Sequence, residues 1–463
     1  MKRITTLFLI ITHFTIVAQD RAGKFDSLFS KLHQEGKFSG NILIAEGGTP
    51  VFQKSYGLAF REKGEPLDSE SIFELASIGK QFTAMAIMVL AHTGKLSYTD
   101  SLRGFFPELP YTNITIRQML HHTSGLPDYM GLAEPELKHW DSTRIMTNND
   151  MIALLAKIQP PAHFPPGEKW EYSNTGYALL ASIVEKVSGM SFRDFMSEQI
   201  YKPLGMNRTL VYHKRLEQRL IDNYAYGYVF DREKDSYVMA DSSQYATMVY
   251  SLDGIYGDGI TNSTTLDLLK WDQSLYTAQL VPKELLQEAF SPASLNNGKT
   301  FDYGFGWLFR ETPEFGQILF HGGSWPGYST WIERHPRDNK TIIILANAGS
   351  AISKIRSIRN ILYGLKDTPP KEISLPARTL RQYAGKYNLT DHDTITVTFA
   401  KNRLYASGAG QKEHELHAES ADLFFRKDAE YKIQFVKNKG GKVEMMRILR
   451  EGPALEAVRV FSE

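Results

Sequence analysis

Apolar residues first recur at helical spacing at Phe25, Leu28, Phe29 and Leu32, which predicts an amphipathic helix over residues 24–37. Two apolar stretches follow, residues 41–45 and 51–56, with Gly47-Gly48 between them as the turn chemistry of a hairpin. The middle of the chain then keeps a helical period. Aromatic and β-branched runs return at residues 303–309, 317–320, 328–334 and 341–346, joined by short turns containing Gly, Pro or Asp-Asn. Strands near both ends with helices between them predict an α+β domain. One antiparallel sheet would draw its strands from both ends of that domain.

The pattern changes near residue 366. Lys366-Asp367-Thr368-Pro369-Pro370-Lys371 opens a polar, proline-containing linker over residues 366–376. Beyond it Ile395, Val397 and Phe399 alternate with polar residues, as do Tyr431, Ile433 and Phe435. Turns at Lys401-Asn402 and Lys439-Gly440-Gly441 separate such runs. Residues 377–463 therefore read as a small all-β domain, a barrel or a sandwich. The main domain spans residues 24–365. Neither an internal repeat nor a low-complexity tract is present.

The first residues add a destination. Lys2 and Arg3 precede a short apolar run from Leu7 to Val17, broken by His13 and threonines, and Ala18-Gln19-Asp20 offers a cleavage point. Residues 1–19 read as a secretory signal peptide rather than a membrane span, so the expected location is the periplasm or the outside of the cell. The chain of 463 residues has no cysteine. That excludes disulfides, thiolate catalysis, zinc–thiolate sites and a lipid anchor on cysteine. Lys+Arg number 53 against Asp+Glu 52, a net charge of +1, so no basic excess points to nucleic acid. Hydrophobic residues at 42% supply a sizeable core.

Three short segments carry candidate chemistry. In Ser77-Ile78-Gly79-Lys80, the following Phe82, Met85, Ala86, Val89 and Leu90 fall at helical spacing, and Gly94 gives a stop. Ser77 then sits at the first turn of a buried helix with Lys80 one turn on, which places an amine beside a hydroxyl. A serine hydroxyl needs a neighbouring base, and a helix N-terminus favours a developing oxyanion. Taken alone, the pair also fits an N-capping serine and a solvated lysine. In Tyr172-Ser173-Asn174, a tyrosine at a helix start can act as a general base beside a lysine, and the asparagine can hold both the amine and a substrate amide. An aromatic plug and an asparagine N-cap are the plainer alternative. In His321-Gly322-Gly323-Ser324, at the end of a strand, two glycines would let a substrate backbone approach the edge. The amide after them would complete an oxyanion hole with that of Ser77.

Together, in this order, these segments resemble the serine β-lactamase-related family of class C β-lactamases, penicillin-binding peptidases and esterases. The S-x-x-K motif is matched by Ser77 to Lys80, Tyr-x-Asn by Tyr172 to Asn174, and the His-x-Gly form of the third motif by His321 to Gly323. The segments Thr115 to Pro127, Pro166-Gly167-Glu168 and Pro203-Leu204-Gly205-Met206 are similar too, and the likeness covers residues 25 to 360. It implies a β-lactamase/transpeptidase-like antiparallel sheet with a helical domain, followed by the small β domain. It implies a hydrolase acting on a small-molecule or peptide substrate, with Ser77 acylated. Lys80 would be the proton acceptor or the amine that keeps Tyr172 ionised. Tyr172 would be the general base, Asn174 the orienting amide, and Ser77 and Ser324 the oxyanion amides. His321 stands where relatives carry a lysine. A histidine there is expected to be partly charged near neutral pH, which favours D-amino-acid peptides or esters over β-lactams. The alternative is a non-catalytic sensor that binds penicillin- or peptidoglycan-like ligands.

No metal or organic cofactor is implied, and oligomeric state is left open. His121-His122 read as structural rather than metal-binding. The Gly254, Gly257 and Gly259 loop is expected near the site. His414 and His417 read as surface residues of the β domain.

Overall fold

The computed structural model describes residues 20–133, 139–366, 370–389, 394–408, 412–427, 429–450 and 454–461. Residues 1–19, read above as a signal peptide, lie outside the described residues. The chain divides between Ile352 and Ser353 into two compact units. Among the described residues, no helix is long and apolar enough to cross a membrane.

In the first unit, helix α1 (residues 20–34) leads into β1 (Phe38–Glu46) and β2 (Thr49–Tyr56). Four later strands are β3 (Leu308–Thr312), β4 (Gly316–Trp325), β5 (Tyr328–His335) and β6 (Lys340–Gly349). They form one antiparallel sheet in the order β3-β4-β5-β6-β1-β2. The first strands thus lie beside the last, with Ile42 opposite Ile344 and Leu43 opposite Ile343. β1 is buried along both faces, which is why it reads as a continuous apolar run rather than an alternation. On one face α1 sets Phe25 and Phe29 against Phe38, Phe52 and Tyr56. On the other, Leu43, Ala45, Ile343 and Leu345 join a large core shared with the helices. Two of these helices matter for the site: α2 (Gly79–His92) and α3 (Asn174–Ser188).

One expected strand is mostly not there. Residues 303–307 are loop, and regular pairing begins only at Leu308. The alternation of Tyr303, Phe305 and Trp307 is real, and all three are buried. The glycines between them serve close approach instead: a Cβ on Gly304 would lie 2.0 Å from the Ala289 carbonyl oxygen, and one on Gly306, at φ +77, would lie 2.9 Å from Gln81 Cα.

The second unit contains a closed eight-stranded barrel: β7 (Gly385–Asn388), β8 (Thr394–Ala400), β9 (Arg403–Gly408), β10 (His414–Ala418), β11 (Leu423–Phe425), β12 (Lys432–Lys437), β13 (Val443–Leu449) and β14 (Leu455–Val460). Closure comes from β7 pairing with both β8 and β14. Tyr383, Tyr387, Leu404, Phe424, Phe435 and Met446 fill its core. His417 corrects the surface reading: it is buried, with Nδ1 2.9 Å from Glu372 Oε1. Its strand is covered from outside by the chain entering the barrel, where the Ile373 N–H donates to the Ala418 carbonyl at 2.8 Å.

Candidate active site

Ser77 lies in a 3-10 turn, Ala76–Ile78, between the short strand Phe73–Glu74 and α2. Ala76 holds a left-handed φ of 49°, an unfavourable conformation for a residue with a Cβ. The turn is pinned from two sides. The Leu75 N–H donates to Thr261 O at 2.8 Å, and Thr330 Oγ1 of β5 donates to Leu75 O at 2.7 Å. Ser77 itself is half-buried, while Lys80 is fully buried.

Lys80 Nζ donates to Ser77 Oγ at 3.3 Å, Asn174 Oδ1 at 2.8 Å and the Asp258 carbonyl at 2.7 Å. Three acceptors match the three N–H bonds of an ammonium. Ser173, not Asn174, caps α3, its Oγ accepting from Gly176 N at 3.4 Å. Asn174 is thereby free to face the site. Its Nδ2 and its backbone N both donate to Asp128 Oδ2 at 2.9 Å, which fixes the amide with its oxygen toward Lys80. Tyr172 packs at a tilt against His122 with centroids 4.2 Å apart, and Lys80 Nζ lies 4.8 Å from the Tyr172 ring centroid. The Tyr172 hydroxyl is buried and has no hydrogen-bond partner among the described residues.

The third segment differs from expectation in two ways. His321 lies within β4, is 3% exposed, and burial together with the nearby Lys80 charge pushes its imidazole down to about 3. It is neutral, not partly charged, at ordinary pH. A directed hydrogen-bond chain fixes its tautomer. The Ser173 N–H donates to His122 Nδ1 at 3.1 Å, so the proton of this neutral ring is on Nε2. That N–H donates to Tyr303 Oη at 3.1 Å, and the Tyr303 hydroxyl donates to His321 Nε2 at 3.1 Å. His321 Nδ1 then donates to the Gly322 carbonyl at 2.7 Å. Both ring nitrogens of His321 are spent internally.

Secondly, the glycines are small for the protein's own sake. A Cβ on Gly323 would lie 2.1 Å from Leu75 O and 2.2 Å from Thr330 Oγ1, and one on Gly322 would press on Trp331 at 3.2 Å. Gly323 lets β4 lie against the turn that carries Ser77. Ser324, the next residue, is exposed and lines a half-open cavity together with Ser77, Asn174, Tyr129 and Trp325.

The structure thus brings Ser77, Lys80, Tyr172 and Asn174 together, and Ser77 and Ser324 onto one cavity, with His321 behind them. The Gly254–Gly259 loop reaches the site through Asp258, and Thr83 Oγ1 holds it by donating to Gly257 O at 2.6 Å. His121 and His122 are buried structural residues: His121 Nδ1 sits 3.1 Å from Tyr303 O and is pushed down to about 4 by burial. Sequence reasoning missed Asp128, Asp258, Tyr129 and Tyr303. Asp128 follows Pro127 directly, and Tyr129 donates to Asp258 Oδ2 at 2.9 Å. Glu74 was missed as well, although a lone carboxylate inside Ile72-Phe73-Glu74-Leu75-Ala76 is a visible signal.

Comparison with known proteins places the fold. The Beta-lactamase family model matches residues 25–360, and the model described as Domain of unknown function (DUF3471) matches residues 369–457. "Penicillin-binding protein 4*" of Bacillus subtilis is 40% identical over 95% of this chain and 99% of its own. The octameric penicillin-binding protein homologue from Pyrococcus abyssi superposes with a TM-score of 0.64 at 26% identity, covering 94% of this chain and 99% of that one. D-amino acid amidase from Ochrobactrum anthropi SV3 shares the fold, with a TM-score of 0.59 at 22% identity over 74% of this chain and 96% of its own. The chain belongs to the beta-lactamase family, a family of serine hydrolases.

Proposed function

We propose that the protein is an exported hydrolase that cleaves an amide or ester bond through an acyl-enzyme on Ser77. The observation that carries this reading is the Lys80 ammonium, held by three acceptors beside Ser77 Oγ. With its N–H bonds occupied, Lys80 acts as the fixed cation, and the role of base falls to Tyr172, whose buried hydroxyl is otherwise unpartnered. Acting in its ionised form beside the Lys80 cation, Tyr172 takes the Ser77 proton as Oγ attacks the carbonyl. The oxyanion is received by the backbone N–H groups of Ser77 and Ser324. Tyr172 returns the proton to the leaving group, then activates a water that releases the acid. Asn174 keeps Lys80 in place and meets the substrate amide.

His321, neutral and engaged on both nitrogens, supplies no permanent cation for a substrate carboxylate. That favours D-amino-acid peptides, amides or simple esters over β-lactams. The basic and apolar N-terminal segment supports export. The test is labelling by a fluorophosphonate and turnover of a p-nitrophenyl ester. Ser77→Ala is expected to lose both, and Tyr172→Phe to lower kcat about 10²–10⁴-fold. Full turnover by Ser77→Ala would overturn the mechanism.

A further inference from the structure

Two carboxyl side chains line this cavity, and the mechanism above uses neither; Asp258 is held by Tyr129, which leaves Glu74. It ends the strand Phe73–Glu74, three residues before Ser77, and lines the same cavity as Ser77, Asn174 and Ser324. Its neighbour Phe73 turns into the core. Glu74 is 8% exposed, and burial and the charges of Arg215, Asp253, Lys214 and Asp241 act on its carboxyl, with no hydrogen bond among those influences. The surrounding carboxylates are all engaged. Asp258 accepts from Tyr129, Asp128 accepts from Asn174, and Asp253 accepts from the backbone of Arg215 and Leu216 at 2.7 and 2.9 Å. Arg215 is not to be had either: its guanidinium binds Asp241 at 2.7 and 3.0 Å and Asp253 at 2.9 Å. A buried carboxyl without a partner is costly. Burial pushes this one up to about 7, with Arg215 and Lys214 pulling down and Asp253 and Asp241 pushing up.

We propose that Glu74 is a specificity-determining residue that receives a substrate ammonium, so that the preferred substrates are amides or esters carrying a free amine close to the scissile carbonyl. The inference rests on the acyl-enzyme reading above and names its substrate class. The rest of the cavity fits. Its lining contains no lysine, arginine or histidine, and Met130, Leu252, Ile255, Ile260 and Trp325 give it apolar walls. A substrate carboxylate would meet two acidic side chains there, Glu74 and Asp258. An ammonium would complete the unfilled one, and an apolar side chain would cover the walls. Ion pairing in such a half-closed, apolar setting is stronger than at a surface.

The experiment compares phenylalanine p-nitroanilide, in both enantiomers, with its N-acetyl derivative, which has the same scissile bond and no charge. The preferred enantiomer is expected to show kcat/KM at least tenfold higher with the free amine. In Glu74→Gln that ratio is expected to fall to near one. Fluorophosphonate labelling of the variant at Ser77 shows that it is folded. As a second measurement, phenylalaninamide should protect wild-type Ser77 from labelling at concentrations where N-acetylphenylalaninamide does not. Equal or better use of the N-acetyl compound, an unchanged ratio in Glu74→Gln, or equal protection by the two amides would overturn the inference while leaving the acyl-enzyme intact. Turnover that survives Ser77→Ala would instead remove the reading beneath it.

Discussion

At the scale of single residues, the candidate site is ordered by hydrogen bonds that each run in one direction. The Ser173–His122–Tyr303–His321–Gly322 chain is closed at both ends by backbone. Tyr303→Phe would strand an imidazole N–H on one side and an imidazole acceptor on the other, both buried. The expected loss is about 2–4 kcal/mol, read by denaturant unfolding, with His321 freed to turn. Glu74 makes the opposite prediction. Its folded carboxyl sits above the ordinary value of 4.5, at about 7, so it stays protonated while its unfolded counterpart ionises. Stability from this group is complete below about pH 4.5 and is lost as pH rises through about 7. Once both states are ionised, burial of the charge costs about 3 kcal/mol. Glu74→Gln should therefore raise the melting temperature at pH 8 and leave it little changed at pH 4.5. An equal gain at both values would mean that the charge is not what is costly. That Ser77, Lys80, Tyr172 and Asn174 come together was legible because their types and order form one recognisable motif set. Asp128, Asp258 and Tyr303 were not, because each acts through a contact between segments remote in sequence.

At the scale of elements, Ser77, the proposed nucleophile, is placed by a turn clamped between strands rather than by its helix alone. β4 and β5 press on Leu75 through Gly323 and Thr330, and the 3-10 turn carries the strain at Ala76. Gly323→Ala would force β4 away from that turn by more than a side-chain adjustment can absorb. A stability loss of about 1–3 kcal/mol is expected. Because Ser324 follows directly, kcat should fall more than KM rises. A loss of stability with kcat preserved would show that the strand does not set the oxyanion geometry. The same clamp explains what the sequence reading got right and wrong. Apolar runs with turn residues gave the hairpin of β1 and β2 and the strands β4 to β6, because those signals are local. The Tyr303–Trp307 alternation looks like a strand for the same reason. Only the carbonyl of Ala289 and the backbone of Gln81, both outside the segment, decide that its glycines make a loop. The two glycines of β4 were given to substrate on similar grounds, whereas their neighbours are the protein's own Leu75, Thr330 and Trp331.

At the scale of the whole molecule, two units carry separate cores. The core around the site runs from Leu43 to Leu345, and that of the barrel from Leu380 to Ala457. All side chains assigned to chemistry, from Glu74 to Ser324, belong to the first unit. The barrel closes on itself through β7 and β14, leaving no sheet edge that needs the rest of the chain. A chain ended at residue 366 is therefore expected to keep fluorophosphonate labelling at Ser77 and to turn over a small ester within about threefold of the full protein. The full protein should melt in two calorimetric steps, one of which disappears on truncation. If the truncated chain stays folded but loses turnover tenfold or more, the barrel contributes to the site. If hydrolysis persists and only behaviour toward larger substrates or partners changes, then the barrel's task lies outside the chemistry, in where and on what the hydrolase acts.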